Sequence, residues 1–182
     1  MPISPEQREK TEERARGRNL RKDEVKEFVK ELEKCFDCDI NSLKRDYYFF
    51  LSKTRGRYYL LKKSNLIREI PDSLKINRVG CYFATKEDDG IRLSIEGSQI
   101  ICNQAKKNIL EIKPENMKKW LTGDSIKIDE HLSVQIKEKV DPEKNRFVII
   151  KCGEDFLGCG KVTKEKILNF VPKERRVHSS FE

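Results

Sequence analysis

The sequence predicts an α+β protein whose first half is a helix packed on a small antiparallel sheet and whose second half is a small barrel. Three observations carry this. Apolar residues recur at helical spacing in Val25, Phe28, Val29, Leu32 and Phe36, the stripe of an amphipathic helix. Two β-prone runs, Tyr47-Tyr48-Phe49-Phe50-Leu51 and Arg57-Tyr58-Tyr59-Leu60-Leu61, flank a short turn containing Gly56, as in a hairpin. From about residue 105 the apolar runs become short and evenly interrupted by turns, a barrel pattern.

The elements follow in order. Residues 1–22 are polar, with Pro2, Pro5 and Gly17, and read as an arm. Arg14, Arg16, Arg18, Arg21 and Lys22 make it basic, but Glu12 and Glu13 offset them, so a frayed tail competes with an arm lying along phosphates. Asp23 is placed to cap the first helix, whose other face, with Lys26, Glu27, Lys30, Glu31 and Lys34, alternates in charge and reads as solvated. After the hairpin, 65–70 reads as a short helix ending before Pro71. The segments 79–84 and 91–95 read as strands joined by the turn Glu87-Asp88-Asp89-Gly90. A further apolar run occupies 98–103. Then come a strand at 108–112 and a helix from Pro114 through Trp120 and Leu121 closed by Gly123. Strand-like runs follow at 132–136, 147–151, 156–162 and 167–171. The expected organisation is an arm at 1–22, an α+β domain at 23–104 and a barrel domain at 105–182.

Composition narrows the function. The chain has 39 basic and 31 acidic residues, a net charge of +8, which favours anionic partners, nucleic acid foremost. No run approaches the ~20 apolar residues of a membrane span, and no charged-then-apolar leader opens the sequence. A cytoplasmic protein without membrane contact is expected.

Six cysteines, Cys35, Cys38, Cys81, Cys102, Cys152 and Cys159, are then expected to be reduced. Cys35 and Cys38 have metal or redox spacing, but no second pair completes four ligands, and the histidines are His131 and His178 alone. Ordinary half-buried thiols are the simpler reading; zinc at Cys35 and Cys38 stays open, and metal analysis decides it.

The glycine-bearing segment 155–162 mimics two cofactor loops and fits neither. Only residues 163–182 follow it, too few for a nucleotide-binding sheet, and Lys161 stands at the third glycine position. Cys159 occupies the place of a P-loop lysine. Glycines that let a barrel strand bend explain it better. The Glu87–Gly90 run lacks the alternation and distal Glu of a calcium loop. Ser179 and Ser180 have no base beside them in sequence. No catalytic residue and no cofactor are assigned.

Cations concentrate in two places. Between Lys44 and Lys63, seven basic residues face one acid, Asp46. Lys53, Arg55, Arg57, Lys62 and Lys63 are the candidate phosphate contacts there. Tyr47, Tyr48, Tyr58 and Tyr59 interleave with them and offer rings for unpaired bases, although alternation along a strand must send about half of such side chains into the core. The second cluster is Lys161, Lys164, Lys166, Lys173, Arg175 and Arg176, against Glu165 and Glu174.

The stretch Asn108-Ile-Leu-Glu-Ile-Lys-Pro114, followed by Met117-Lys-Lys-Trp-Leu-Thr-Gly-Asp124, resembles the opening strand and helix of a PUA domain, a small RNA-binding barrel. The later runs Phe147-Val-Ile-Ile150, Phe156-Leu-Gly-Cys-Gly-Lys161 and Ile167-Leu-Asn-Phe-Val-Pro-Lys-Glu-Arg-Arg176 are similar to the PUA-like domain of Sun/Fmu (Nol/Nop) RNA cytosine-C5 methyltransferases. They are also similar to stand-alone archaeal proteins of that group described as ribosome-biogenesis proteins. Upstream, Arg57-Tyr-Tyr-Leu-Leu61, Val79-Gly-Cys-Tyr-Phe83 and Ile91-Arg-Leu-Ser-Ile95 resemble the pre-PUA domain of Nip-type ribosome assembly factors.

The resemblance implies a pre-PUA domain followed by a PUA-like β-barrel without the catalytic domain of those enzymes. It implies a non-catalytic protein that binds structured RNA, rRNA or tRNA, in ribosome biogenesis or RNA modification. RNA contact would fall on the first PUA helix and the final strands, through Lys118, Lys119, Lys173, Arg175 and Arg176. Trp120 shares a helical face with Met117 and Leu121 and reads as core. The rival expectations are an adaptor for an RNA methyltransferase and an RNA-modifying enzyme whose site the sequence does not display; the partners expected besides RNA are an RNA methyltransferase or a pre-ribosomal particle.

Overall fold

A computed structural model describes residues 18–52, 56–63 and 80–177. Lys53, Arg55, the 65–70 segment and most of the arm lie outside the described residues. The described chain is α+β and builds two five-stranded sheets.

The first lobe begins with β1 (Arg18–Asn19), which pairs with β2, so the last residues of the expected arm belong to a sheet. Helix α1 (Lys22–Phe36) follows. Its N-terminus is closed by Glu24, whose carboxylate accepts from the Arg21 N–H at 2.9 Å; Asp23 lies inside the first turn rather than at the cap. Phe28, Val29, Leu32, Cys35 and Phe36 are its buried stripe. Helix α2 (Asn41–Asp46) leads into β2 (Tyr47–Ser52) and β3 (Arg57–Lys62), the hairpin legible in the sequence. β4 (Cys81–Glu87) and β5 (Gly90–Leu93) complete the sheet in the order β1-β2-β3-β4-β5.

The apolar run at 98–103 belongs to a helix, α3 (Ile95–Ile101). Ser94 caps it by accepting from the Gly97 N–H at 2.8 Å. α3 lies against β4 and β9, and Gly97 permits the approach: a Cβ there would stand 2.1 Å from the Phe83 carbonyl oxygen.

The second lobe contains β6 (Ile109–Glu111), α4 (Pro114–Thr122), β7 (Ile126–Lys127), α5 (Glu130–Lys139), β8 (Phe147–Cys152), β9 (Asp155–Val162) and β10 (Lys166–Asn169). A 3₁₀ turn (Lys173–Arg175) ends it. The sheet order is β6-β8-β9-β10-β7, with β6 and β8 parallel, and the sheet curls into a half-barrel. The run 132–136, expected as a strand, lies within helix α5. Asp129 caps that helix at the Leu132 N–H, 2.8 Å away, and only Leu132 and Gln135 of the helix are buried. Its apolar residues are too few and too spread to distinguish the two periods over five positions.

Two apolar clusters hold the molecule. The first joins α1 and the first sheet to Phe147, Ile149 and Cys159 of the second lobe. The second gathers Leu110, Ile112, Trp120, Val148, Ile150, Leu157 and Ile167. β8 therefore sends Phe147 and Ile149 into one core and Val148 and Ile150 into the other.

The junction between lobes is tied down by backbone groups. Lys106 and Lys107 donate their N–H groups to the Phe36 carbonyl at 2.9 and 3.0 Å. Buried Asn108 donates its side-chain amide to the Cys35 carbonyl at 2.6 Å. These bonds satisfy carbonyls that the end of α1 would otherwise leave open. Asn108 adopts φ 55, a conformation that Asn tolerates better than most residues.

Candidate nucleic-acid interface

A cleft of about 810 Å³ lies on the seam between the lobes. From the first lobe it is lined by Arg57, Tyr82, Arg92, Ser94 and Glu96, and from the second by Phe170, Pro172, Glu174 and Arg175.

Its cations sit over rings. The Arg57 guanidinium lies 5.3 Å from the Tyr82 ring centre. The Arg92 guanidinium lies 4.8 Å from the Phe170 ring centre, across the seam, while its Nε donates to Glu87 at 2.6 Å. Phe170 in turn packs edge-on against core Phe147, 5.8 Å between centres. Arg175 reaches across to Glu96 at 2.6 Å, with side chains 62% and 34% exposed. An ion pair that open to water is worth ~0–1 kcal/mol, so Arg175 exchanges readily to another anion. Arg57 has no carboxylate partner among the described residues.

The cleft offers guanidinium groups and ring faces, the chemistry that meets phosphates and bases. Ser94 is occupied structurally: besides capping α3 it donates to the Tyr82 carbonyl at 2.6 Å.

The remaining predicted cations take separate positions. Lys118 and Lys119 stand exposed on α4. The chain after β10 returns to that helix: the Val177 N–H donates to the Leu121 carbonyl at 3.0 Å, and Arg176 lies against Gly123, where a Cβ would come within 2.4 Å of its Nε. Arg176 also donates to the Val171 carbonyl at 3.1 Å, so it closes the α4 terminus. Gly123 has φ 99 and is suited to that turn. Lys173, exposed in the 3₁₀ turn, connects this face to the cleft edge at Arg175. Lys164 is exposed in the β9–β10 turn. Lys161 is an inter-lobe tie: it pairs with Asp89 and lies over the Phe147 ring, and that hydrogen bond holds the Asp89 carboxyl below its ordinary range.

On the hairpin, Lys62 is exposed, and Lys63 donates to the Lys44 carbonyl at 2.9 Å. The tyrosines divide. Tyr47 and Tyr58 pack against the first core, Tyr58 stacked on Phe28 with ring centres 3.8 Å apart. Tyr48 and Tyr59 belong to neither core. Trp120 is buried, and its indole donates to the Leu157 carbonyl at 3.0 Å.

Sequence reasoning passed over Arg92, Tyr82 and Phe170. The available signal was alternation: Arg92 lies between buried Ile91 and Leu93, so it must point to the opposite face of β5.

Three of the buried cysteines are chemically quiet. Desolvation pushes Cys35 up to about 11, and Cys38 and Cys159 up to about 12. Among the described residues no group of three or more His, Cys, Asp or Glu is placed to hold a metal. No helix among them is long and apolar enough to cross a membrane.

Residues 107–177 match the family model described as the methyltransferase RsmF PUA domain. The matched segment begins one residue before Asn108 and ends at Val177, so it takes in the whole second sheet and the 3₁₀ turn. The second lobe is thus similar to a PUA domain, an RNA-binding module. A comparison of the chain with curated proteins finds no match.

Proposed function

We propose that this PUA-containing chain is a non-catalytic RNA-binding protein that holds structured RNA, rRNA or tRNA, in the cytoplasm, in ribosome biogenesis or RNA modification. One observation carries the reading: Arg57 of the first lobe and Arg175 of the PUA lobe line one cleft with Tyr82 and Phe170. Arg57, which lies over Tyr82 and has no carboxylate partner among the described residues, supplies positive charge, and Arg175 trades Glu96 for phosphate. Lys173, Lys118 and Lys119 extend the basic surface from the cleft onto the PUA helix. An RNA strand crossing the seam would be gripped by both lobes. The net charge of +8 adds long-range attraction.

The test combines Arg57→Glu with Arg175→Gln in the full chain. Affinity for total tRNA and for rRNA fragments, read by fluorescence anisotropy at fixed salt, should fall at least tenfold while Tm stays within about two degrees. Unchanged affinity overturns the cleft as the RNA site.

A second reading is favoured by the family description itself, which names a methyltransferase: the PUA lobe serves as an adaptor for such an enzyme. A pull-down of a methyltransferase that survives nuclease treatment would support the adaptor; its loss on nuclease treatment would favour RNA as the bridge.

A further inference from the structure

The face of the first sheet that points away from α1 carries an unusual concentration of rings. In the strand register, Phe50 of β2 lies opposite Tyr59 of β3, and Tyr59 lies opposite Tyr82 of β4. Three aromatic side chains thus occupy one row across three adjacent strands, with Tyr59 and Tyr82 ring centres 5.7 Å apart. Tyr48 stands two residues along β2 from Phe50, on the same face. None of the four packs against either core, and all are half-buried. A row of rings that contributes to neither core of the described residues costs solubility and returns little stability there, which points to a role beyond those cores.

Cations bracket the row. Lys63 lies 5.4 Å from the Tyr48 ring centre, and Arg57 lies over Tyr82 at the other end. Asp46, which precedes β2, is bonded to Arg45 at 2.9 Å and also feels Lys62 and Lys63. Tyr82 and Arg57 line the seam cleft as well, so the aromatic face and the cleft are continuous.

From this arrangement we infer that the outer face of the first sheet is a stacking platform for unpaired RNA bases, with Tyr48, Phe50, Tyr59 and Tyr82 as the rings and Arg57 and Lys63 holding the phosphates on either side. The inference rests on RNA being the ligand of the cleft and goes beyond it in specifying single-stranded character. Adjacent strands stand ~4.8 Å apart, which presents separate rings to successive splayed bases. Every base has a π-face, so such a platform tolerates any sequence, and its cations recognise only the backbone. A duplex, whose bases are already stacked and paired, gains nothing from the rings.

The experiment uses the full chain and three probes: a fluorescein-labelled 12-nucleotide oligouridylate, the same length of RNA duplex, and a 12-mer containing 2-aminopurine. The variants are Tyr59→Leu and Phe50→Leu, which keep apolar bulk without a π-face, and Tyr59→Phe, which keeps the ring. Each Leu variant should weaken oligouridylate binding roughly fivefold or more and leave duplex binding unchanged. Tyr59→Phe should bind as the parent does. 2-Aminopurine fluorescence should be quenched by the parent and less by Tyr59→Leu. Unchanged oligouridylate affinity and unchanged quenching in both Leu variants, with RNA still bound, overturn the platform and leave the cleft reading standing. An equal loss for single strand and duplex also overturns it, because the face would then be contributing structure or charge alone. Failure of the parent to bind any of the RNAs overturns the cleft reading and the platform together.

Discussion

β8 and the β2–β3 hairpin are both built from runs of large apolar side chains, yet they are buried in different ways. In Phe147-Val148-Ile149-Ile150 every side chain is 0% exposed. In Tyr47-Tyr48-Phe49-Phe50-Leu51 only Phe49 is buried. β8 lies inside its sheet, between β6 and β9, and has a core on each face. The hairpin has a core on one face, and its other face is the row of rings continuous with the cleft. A run apolar on both faces signals a strand sandwiched between layers. A run of five with one buried member signals a strand that has a core on one face only. The contrast also shows that the two lobes are one mechanical unit: the PUA sheet borrows the first lobe to cover one face of β8.

The sharpest way to break this comparison is to charge the shared strand. Ile149→Asp puts a carboxylate into the core common to both lobes, where burial without a partner costs several kcal/mol. The full chain should lose its cooperative unfolding transition and become prone to aggregation. A variant that melts normally would show that the lobes do not share that core. The fragment 107–177, which exposes Phe147, Ile149 and Cys159, should behave the same way.

Neighbouring positions on β2 sharpen it next. Phe49→Ala should cost about 3–5 kcal/mol, and Phe50→Ala about 1 kcal/mol or less, by urea denaturation. Equal costs would mean that the outer face is core after all. At the α3 contact, Gly97→Ala should destabilise by about 1–3 kcal/mol through its clash with Phe83.

The smallest effect is alkaline. Cys35, Cys38 and Cys159 have folded values raised from 9.0 to between about 11 and 12, so between those limits the unfolded chain releases protons that the native one keeps. Stability is full below pH 9 and declines as pH rises toward 12. Cys38→Ala should flatten that decline in a series of melting curves; an unchanged slope would show that the Cys38 thiol does not contribute.

Much of this was legible in the sequence because local signals agreed with tertiary demand. The α1 stripe, the β2–β3 hairpin, the Glu87–Gly90 turn and the Pro114-to-Gly123 helix each had a period and a punctuation mark. α5 is not legible as a helix because its five-residue apolar run supports two periods. β7, two residues long, has no period to show, and α3 begins at Ile95, the last residue of a strand-like run. Charge counting singles out Arg57 and Arg175 as candidates, but nothing in one dimension brings residues 57, 92 and 175 to one cleft. That requires β5 and the 3₁₀ turn to meet across a seam, which follows from packing. Lys161 and Arg176 show the converse, since charge alone does not distinguish a phosphate contact from an inter-lobe tie or a helix closure.

The most direct test of the central claim, that one RNA is gripped across the seam, is the salt dependence of tRNA affinity in the full chain. Log K against log salt is measured for the parent, Arg57→Gln and Arg175→Gln. The account predicts that each substitution makes the slope shallower by between about 0.7 and 0.9, the contribution of one released phosphate contact. Parallel lines for all three proteins would contradict it, because neither lobe's arginine would then be touching the RNA backbone.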